Sequence, residues 1–206
     1  SQGIWLDVNV PRDAPAGRYS SNIVVSCGGK TESIPVTLQV RNVTIPVTPY
    51  LKTHMWNLSA NTAPELNIEE RNRVNLMVLK YHMCTPPTLP WDTVYKQNQD
   101  GKWSADWAEF DKVTQLFLDK GCTSFRIESI VPWGNSLPES SKLPEMRAKL
   151  ELLAAHLKQK GWMKWFLFYI FDEVPASQIK GLQDICRFIH SVDRGFRVIG
   201  TVNWHQ

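Results

Sequence analysis

Trp165–Phe171 (WFLFYIF) runs directly into Asp172-Glu173, and the reading of this stretch decides the reading of the rest. Seven consecutive apolar residues, rich in aromatics and β-formers, read as a strand buried on both faces. The two adjacent carboxylates then stand at its C-terminal end, at the mouth of whatever sheet or barrel holds it. Val174-Pro175 follows, and a helical segment begins near Ser177. In parallel α/β architectures that end of a strand is where chemistry is done. The stretch therefore points to an enzyme with acid/base carboxylates.

Working outward, the sequence on both sides alternates helices and strands. Leu51–Asn57 is a candidate strand, and Pro64–Met83 carries a helix with Leu66, Val74, Met77, Val78 and Tyr81 at helical spacing. After a Pro-rich stretch, Thr85–Trp91, an Asp100-Gly101 turn leads to a helix over Ala108–Lys120 that Gly121 closes. Cys122–Ser129 reads as a strand, Leu143–Lys160 as an amphipathic helix ended by Gly161, and Ser177–Asp193 as another helix. Phe196–Trp204 is a further strand. Such a β–α succession implies right-handed crossovers and a parallel sheet of about five strands. A closed (β/α)₈ barrel needs about 250 residues by itself, more than this segment holds. Because both ends break off inside recognisable elements, the expectation is α/β, a partial (β/α)₈ TIM-type barrel over 51–206.

The first part of the chain has another character. Ile4–Val10 alternates as a strand, Pro11–Gly17 is a turn, and Arg18–Ser26 and Thr31–Val43 are strands joined by Gly28-Gly29-Lys30. Three antiparallel strands do not make a sandwich alone, so residues 1–43 read as the closing strands of an Ig-like β-sandwich. The run 44–50 is a Pro-containing linker.

Composition narrows the function classes. With 43% hydrophobic and 21% charged residues, the chain is globular in character. A net charge of +3, with scattered Lys and Arg, argues against nucleic acid or an acidic membrane surface as partner. No run approaches a membrane span. Nine Trp favour a carbohydrate ligand, because sugar clefts use indole faces. The opening Ser1-Gln2-Gly3 carries no signal peptide and reads as a fragment boundary. Cys27, Cys84, Cys122 and Cys186 lack metal-ligand spacing, so no metal is expected, and three disulfide connectivities are open. The sequons Asn42-Val43-Thr44 and Asn57-Leu58-Ser59 fit an extracellular or otherwise exported protein.

These residues also carry a family likeness. With "GIWLDVNVPRDAPAGRYSSNIVV", "LKTHM", "DGKWSADWAEFDK" and "FYIFDEVP", the chain resembles glycoside hydrolase family 123, exo-acting β-N-acetylgalactosaminidases. The likeness covers nearly the whole chain, with the family's Asp-Glu-Pro appearing here as Asp172-Glu173-Val174-Pro175. It implies a retaining, substrate-assisted hydrolysis, an exception to the usual carboxylate pair, in which the sugar's own 2-acetamido oxygen forms an oxazolinium ion. It assigns Glu173 as acid/base and Asp172 as the carboxylate orienting the acetamido group, with no metal or organic cofactor and a glycan as substrate.

Adjacent Asp and Glu suit that division of labour, since they diverge from neighbouring positions and differ by one methylene in reach. The bland alternative is that either residue caps the next helix or pairs with a neighbour. Around them, Glu128 at the end of its strand is a candidate for binding a sugar hydroxyl, or for pairing with Arg126. Trp133, in a Pro-Trp-Gly loop, is a candidate sugar platform. Asn203, Trp204 and His205, at the end of a further strand, are placed to meet the sugar, and Tyr169 is a candidate for the same wall that reads more readily as core. His54, His82, His156 and His190 read as satisfied core or surface histidines, and Trp103 and Trp107 as packing residues. Two further function classes stay open: a non-catalytic carbohydrate-binding or structural relative, and an ordinary two-carboxylate glycosidase with Glu128 as the second group, about 5–5.5 Å or about 6.5–9.5 Å away.

Overall fold

The computed structural model describes residues 3–55, 65–134 and 136–203, and the chain divides into two compact units, Ser1–Pro46 and Val47–Gln206. In the first unit, β1 (Gly17–Cys27) and β2 (Lys30–Val40) form an antiparallel hairpin in unbroken register from Gly17 opposite Val40 to Cys27 opposite Lys30. Gly28 and Gly29 both take positive φ, 57° and 75°, as a two-residue turn between twisted strands requires. The alternating segment Ile4–Val10 forms no ladder, and its apolar residues are exposed. Alternation supplies a face, but a strand also needs main-chain pairing.

In the second unit, α1 (Ile68–Leu79) starts at a capping box. The Glu70 N–H donates to Asn67 Oδ1 at 3.0 Å, and the Asn67 N–H donates to Glu70 Oε2 at 2.9 Å. Its inner face carries two buried asparagines with a specific task. The following segment contains Pro86, Pro87 and Pro90, which lack the N–H groups a ladder needs. Asn72 substitutes for a neighbouring strand: it accepts from the Thr88 N–H at 2.8 Å and donates to the Thr88 carbonyl at 3.0 Å. Asn75 donates to the Pro86 carbonyl at 3.1 Å.

A short helix, α2 (Trp91–Val94), leads into the small hairpin of β3 (Tyr95–Gln97) and β4 (Trp103–Ala105). Helix α3 (Ala108–Asp119) follows and is stopped by Gly121. Then come β5 (Phe125–Ile127), α4 (Leu143–Gln159), β6 (Phe166–Tyr169), β7 (Val174–Pro175), α5 (Ile179–Val192), β8 (Arg197–Ile199) and β9 (Val202–Asn203). The main sheet is parallel in the order β5-β6-β8, with Phe125 opposite Phe166 and Leu167 opposite Arg197. Strands β7 and β9 pair in parallel over two residues each.

Central strand β6 is covered on both faces: Phe166, Leu167 and Phe168 are buried in succession. Phe166 stacks between Phe125 and Phe110 at ring separations of 4.9 and 5.7 Å, and Phe168 meets Phe196 at 5.4 Å. Each such side chain contributes about 1.5–3 kcal/mol on burial. Helix α3 is tied to α4 by Asp111, which meets His156 and Lys160 at 2.6 Å each, while His156 stacks on Trp107 at 4.3 Å.

The expectation of a partial (β/α)₈ barrel with about five strands is corrected. The second unit is a small mixed α/β arrangement with sheets of two or three short strands and no closure among the described residues. Barrel closure requires every strand to pair on both sides. The described part of Leu51–Asn57 makes no ladder, and Thr85–Trp91 takes its bonds from the asparagines of α1 instead. The predicted strand Phe196–Trp204 is interrupted at Gly200 and Thr201, giving β8 and β9. Asn57, the Asn57-Leu58-Ser59 sequon, Trp204 and His205 lie outside the described residues.

Substituting Asn72 by Ala removes both of its hydrogen bonds to the Thr88 main chain, at an expected cost of about 1–3 kcal/mol. Urea denaturation of Asn72→Ala checks this beside Arg73→Ala on the exposed face, where the expected change is within about 0.5 kcal/mol.

Candidate functional site

The end of β6 is the most chemically loaded place in the second unit. Beyond Tyr169 the chain continues through buried Ile170 and Phe171 and then emerges at exposed Asp172 and Glu173. The Tyr169 hydroxyl donates to Asp172 Oδ1 at 2.9 Å. Thr201 Oγ1 donates to the same oxygen, and accepts the Glu173 N–H at 2.8 Å. One hydroxyl thus serves both carboxylate residues, spending its proton on one and a lone pair on the other. These two bonds, that from Thr201 first and that from Tyr169 second, hold the Asp172 carboxyl below its ordinary range. Among the described residues no donor meets Asp172 Oδ2, so one oxygen is fixed and the other is available. The Glu173 carboxylate likewise makes no hydrogen bond or ion pair among the described residues.

Thr201 reaches Asp172 because Gly200 precedes it. A Cβ at Gly200 would lie 2.1 Å from the buried Phe171 ring, so only glycine lets the turn after β8 pass this close. Glu173 has φ 47°, in the left-handed region that non-glycine residues rarely occupy. Ser129, just past Glu128, has φ 61°. Strained backbone at the C-terminal ends of two adjacent strands is characteristic of functional sites.

Beside these carboxylates lies a cleft of about 720 Å³ whose lining includes Arg126, Glu128, Trp133, Lys142, Glu145 and Tyr169. Trp133, 50% exposed, meets Tyr169 edge-on at 5.6 Å. Its loop is pinned to the β6 extension by the Gly134 N–H, which donates to the Ile170 carbonyl at 3.1 Å. The Arg126 guanidinium sits 5.4 Å from the Trp133 ring and 5.8 Å from the Tyr169 ring, and its Nε lies 3.2 Å from Glu128 Oε1. Burial pushes the Glu128 carboxyl up, Arg126 opposes the rise, and the Asp92 charge adds to it. The His54 ring stands 6.1 Å from that of Tyr169, and its Nδ1 shares a 2.6 Å hydrogen bond with Ser124 Oγ.

The structure therefore brings Glu128, Trp133 and Tyr169 to one cleft, with Tyr169 bridging to Asp172. Glu173 stands exposed at its margin rather than enclosed by aromatics. Asn203 pairs through its main chain in β9, opposite Pro175. Of the histidines, His156 is a core residue between α3 and α4, and His190 donates to the Phe196 carbonyl at 3.0 Å. Thr201 is the site residue that sequence reading did not single out, and Arg126 was singled out only as a partner for Glu128. Among the described residues there is no cluster of His, Cys, Asp and Glu able to hold a metal ion, and no helix long and apolar enough to cross a membrane. No protein-family model matches the chain, and no curated protein matches it.

Burial, and then the Arg126 charge, lower the His54 imidazole to about 4, so it is neutral in the folded chain at neutral pH. An unfolded chain protonates the same group near pH 6.5. Its contribution to stability is full above that pH and is lost as pH falls toward about 4. Thermal midpoints of wild type should therefore fall more steeply than those of His54→Asn between about pH 6.5 and about 5. Parallel curves for the two proteins would contradict this.

Proposed function

We propose that the protein is a glycoside hydrolase that removes terminal β-linked N-acetylhexosamine, with N-acetylgalactosamine the first choice, by a retaining, substrate-assisted mechanism. The observation that carries the reading is the asymmetric state of Asp172, with Oδ1 held by Tyr169 and Thr201 and Oδ2 open. A carboxylate kept ionised and fixed in this way suits the acceptance of an acetamido N–H as positive charge develops on the forming oxazolinium. Glu173, next in sequence and making no fixed contact, then gives its proton to the leaving oxygen and recovers one from the incoming water. The sugar's acetamido oxygen is the nucleophile, so no protein nucleophile and no cofactor enters. The likeness of "FYIFDEVP" to glycoside hydrolase family 123 supports the same roles. An exported location accords with this substrate class and with the exposed sequon Asn42-Val43-Thr44.

One observation favours a second reading. Trp133, Arg126 and Glu128 line the cleft whereas Asp172 and Glu173 do not, which also suits a carbohydrate-binding protein without turnover.

An aryl β-N-acetylgalactosaminide and the matching aryl β-galactoside separate the readings. Hydrolysis is expected only for the N-acetyl sugar, with a loss of about 10²-fold or more in Glu173→Gln and a comparable loss in Asp172→Asn. In Tyr169→Phe the Asp172 carboxyl loses a donor and becomes easier to protonate, so the acid limb of kcat/KM moves to higher pH. Sugar binding by folded protein without release of aglycone would establish the second reading. Equal hydrolysis of both sugars would exclude substrate assistance.

A further inference from the structure

The four cysteines differ sharply in setting. Cys27 is exposed at the end of β1, in the first unit, and Cys186 is half-buried on α5. Cys84 and Cys122, 38 positions apart, are both fully buried, with their sulfurs 3.3 Å from each other. Both thiols also point at one acceptor, the Ser124 carbonyl, at 3.7 and 3.2 Å, and the Thr123 N–H meets Cys84 Sγ at 3.3 Å. The pair is thus held sulfur to sulfur by the main chain entering β5. A disulfide needs the sulfurs at about 2.05 Å, a closure of little more than an ångström shared between two side chains.

We propose that Cys84 and Cys122 are a disulfide-forming pair, closed by exchange with a low-molecular-weight disulfide whenever the chain folds in an oxidising compartment. The thiolate of Cys84 attacks one sulfur of the small disulfide, releasing one small thiol and leaving a mixed disulfide on Cys84. Cys122, on losing its proton, attacks Cys84 Sγ and expels the second small thiol. Two protein thiols are oxidised and one small disulfide is reduced to two thiols, so atoms and electrons balance. The order of attack follows from the setting. The contact with Cys122 draws the Cys84 thiol below its ordinary range, while that same contact and burial push Cys122 up. Because both sulfurs are covered in the folded chain, exchange takes place as the chain folds or in local openings.

The bond would join the segment after α1 to the approach of β5. That places it beside Ser124, whose hydroxyl holds His54 and whose strand presents Arg126 and Glu128 to the cleft. Of the three full connectivities that four cysteines allow, this bond excludes the two that join Cys84 or Cys122 to Cys27 or Cys186, both of which are free thiols in the structure. The inference stands on the thiol geometry alone and does not require the protein to be a glycosidase.

The test is refolding of the reduced, unfolded chain in a buffer of oxidised and reduced glutathione, then alkylation in denaturant and peptide mapping. The expected product is one linked peptide pair containing Cys84 and Cys122, lighter by two hydrogens, with Cys27 and Cys186 alkylated. Its thermal midpoint should lie roughly 5–15 °C above that of the reduced protein, and dithiothreitol should abolish the difference. In Cys122→Ser the linked species and the shift should both be missing. Recovery of folded protein with Cys84 and Cys122 both alkylated would overturn the proposal, as would preferential linkage of either one to Cys27 or Cys186.

Discussion

Oδ1 of Asp172 is the point at which two strand ends of the second unit meet. It takes a hydrogen bond from Tyr169, three residues earlier at the end of β6, and another from Thr201, beyond β8. The carboxylate therefore ties two neighbouring strand ends together and is itself fixed by them. Packing behind it fixes the two strands. The stacked Phe110, Phe125 and Phe166 rings set β6 against β5 and α3, and Phe196 sets it against the start of β8. Gly200 gives Thr201 its approach past Phe171. A rigid apolar layer ending in polar groups with one open acceptor is how a fold holds a charge in place, and this is the feature on which the proposed function rests.

A second level of organisation runs through Arg126. Its cation lies against both the Trp133 and Tyr169 rings and pairs with Glu128, so the aromatic wall of the cleft and the group that holds Asp172 share one neighbour. Arg126 also helps to keep His54 neutral. The cleft thus holds the Arg126 cation, a carboxyl whose burial disfavours ionisation, and a half-exposed indole. That combination offers hydrogen bonding and stacking together, which are the two things a pyranose ring presents on its edges and faces.

Local signals in the sequence reached the elements well and their assembly poorly. The Gly28-Gly29 turn, the glycines after α3 and α4, and the apolar run of β6 each act over a few residues, so spacing alone locates them. The exposed position of Asp172 and Glu173 was legible because a polar pair after a buried strand has few other places to go. The barrel expectation failed because β–α alternation fixes the order of elements and not their pairing. Prolines between Thr85 and Trp91 removed ladder donors, and asparagines of α1 took over their role. Thr201 could not be found from spacing, since it meets Asp172 across 29 positions and depends on a glycine whose neighbour is only visible in three dimensions. The pairing of Arg126 with Glu128 was visible as an option, but its contact with both aromatic rings was not.

The claim that Asp172 orients an acetamido group is tested most directly by a crystal structure of the protein with a thiazoline derived from N-acetylgalactosamine, a stable mimic of the oxazolinium ion. The account predicts the thiazoline nitrogen within hydrogen-bonding distance of Asp172 Oδ2, about 2.7–3.1 Å, with Tyr169 and Thr201 still on Oδ1 and Glu173 facing the anomeric carbon. A sugar stacked on Trp133 with its nitrogen turned away from Asp172 would contradict it.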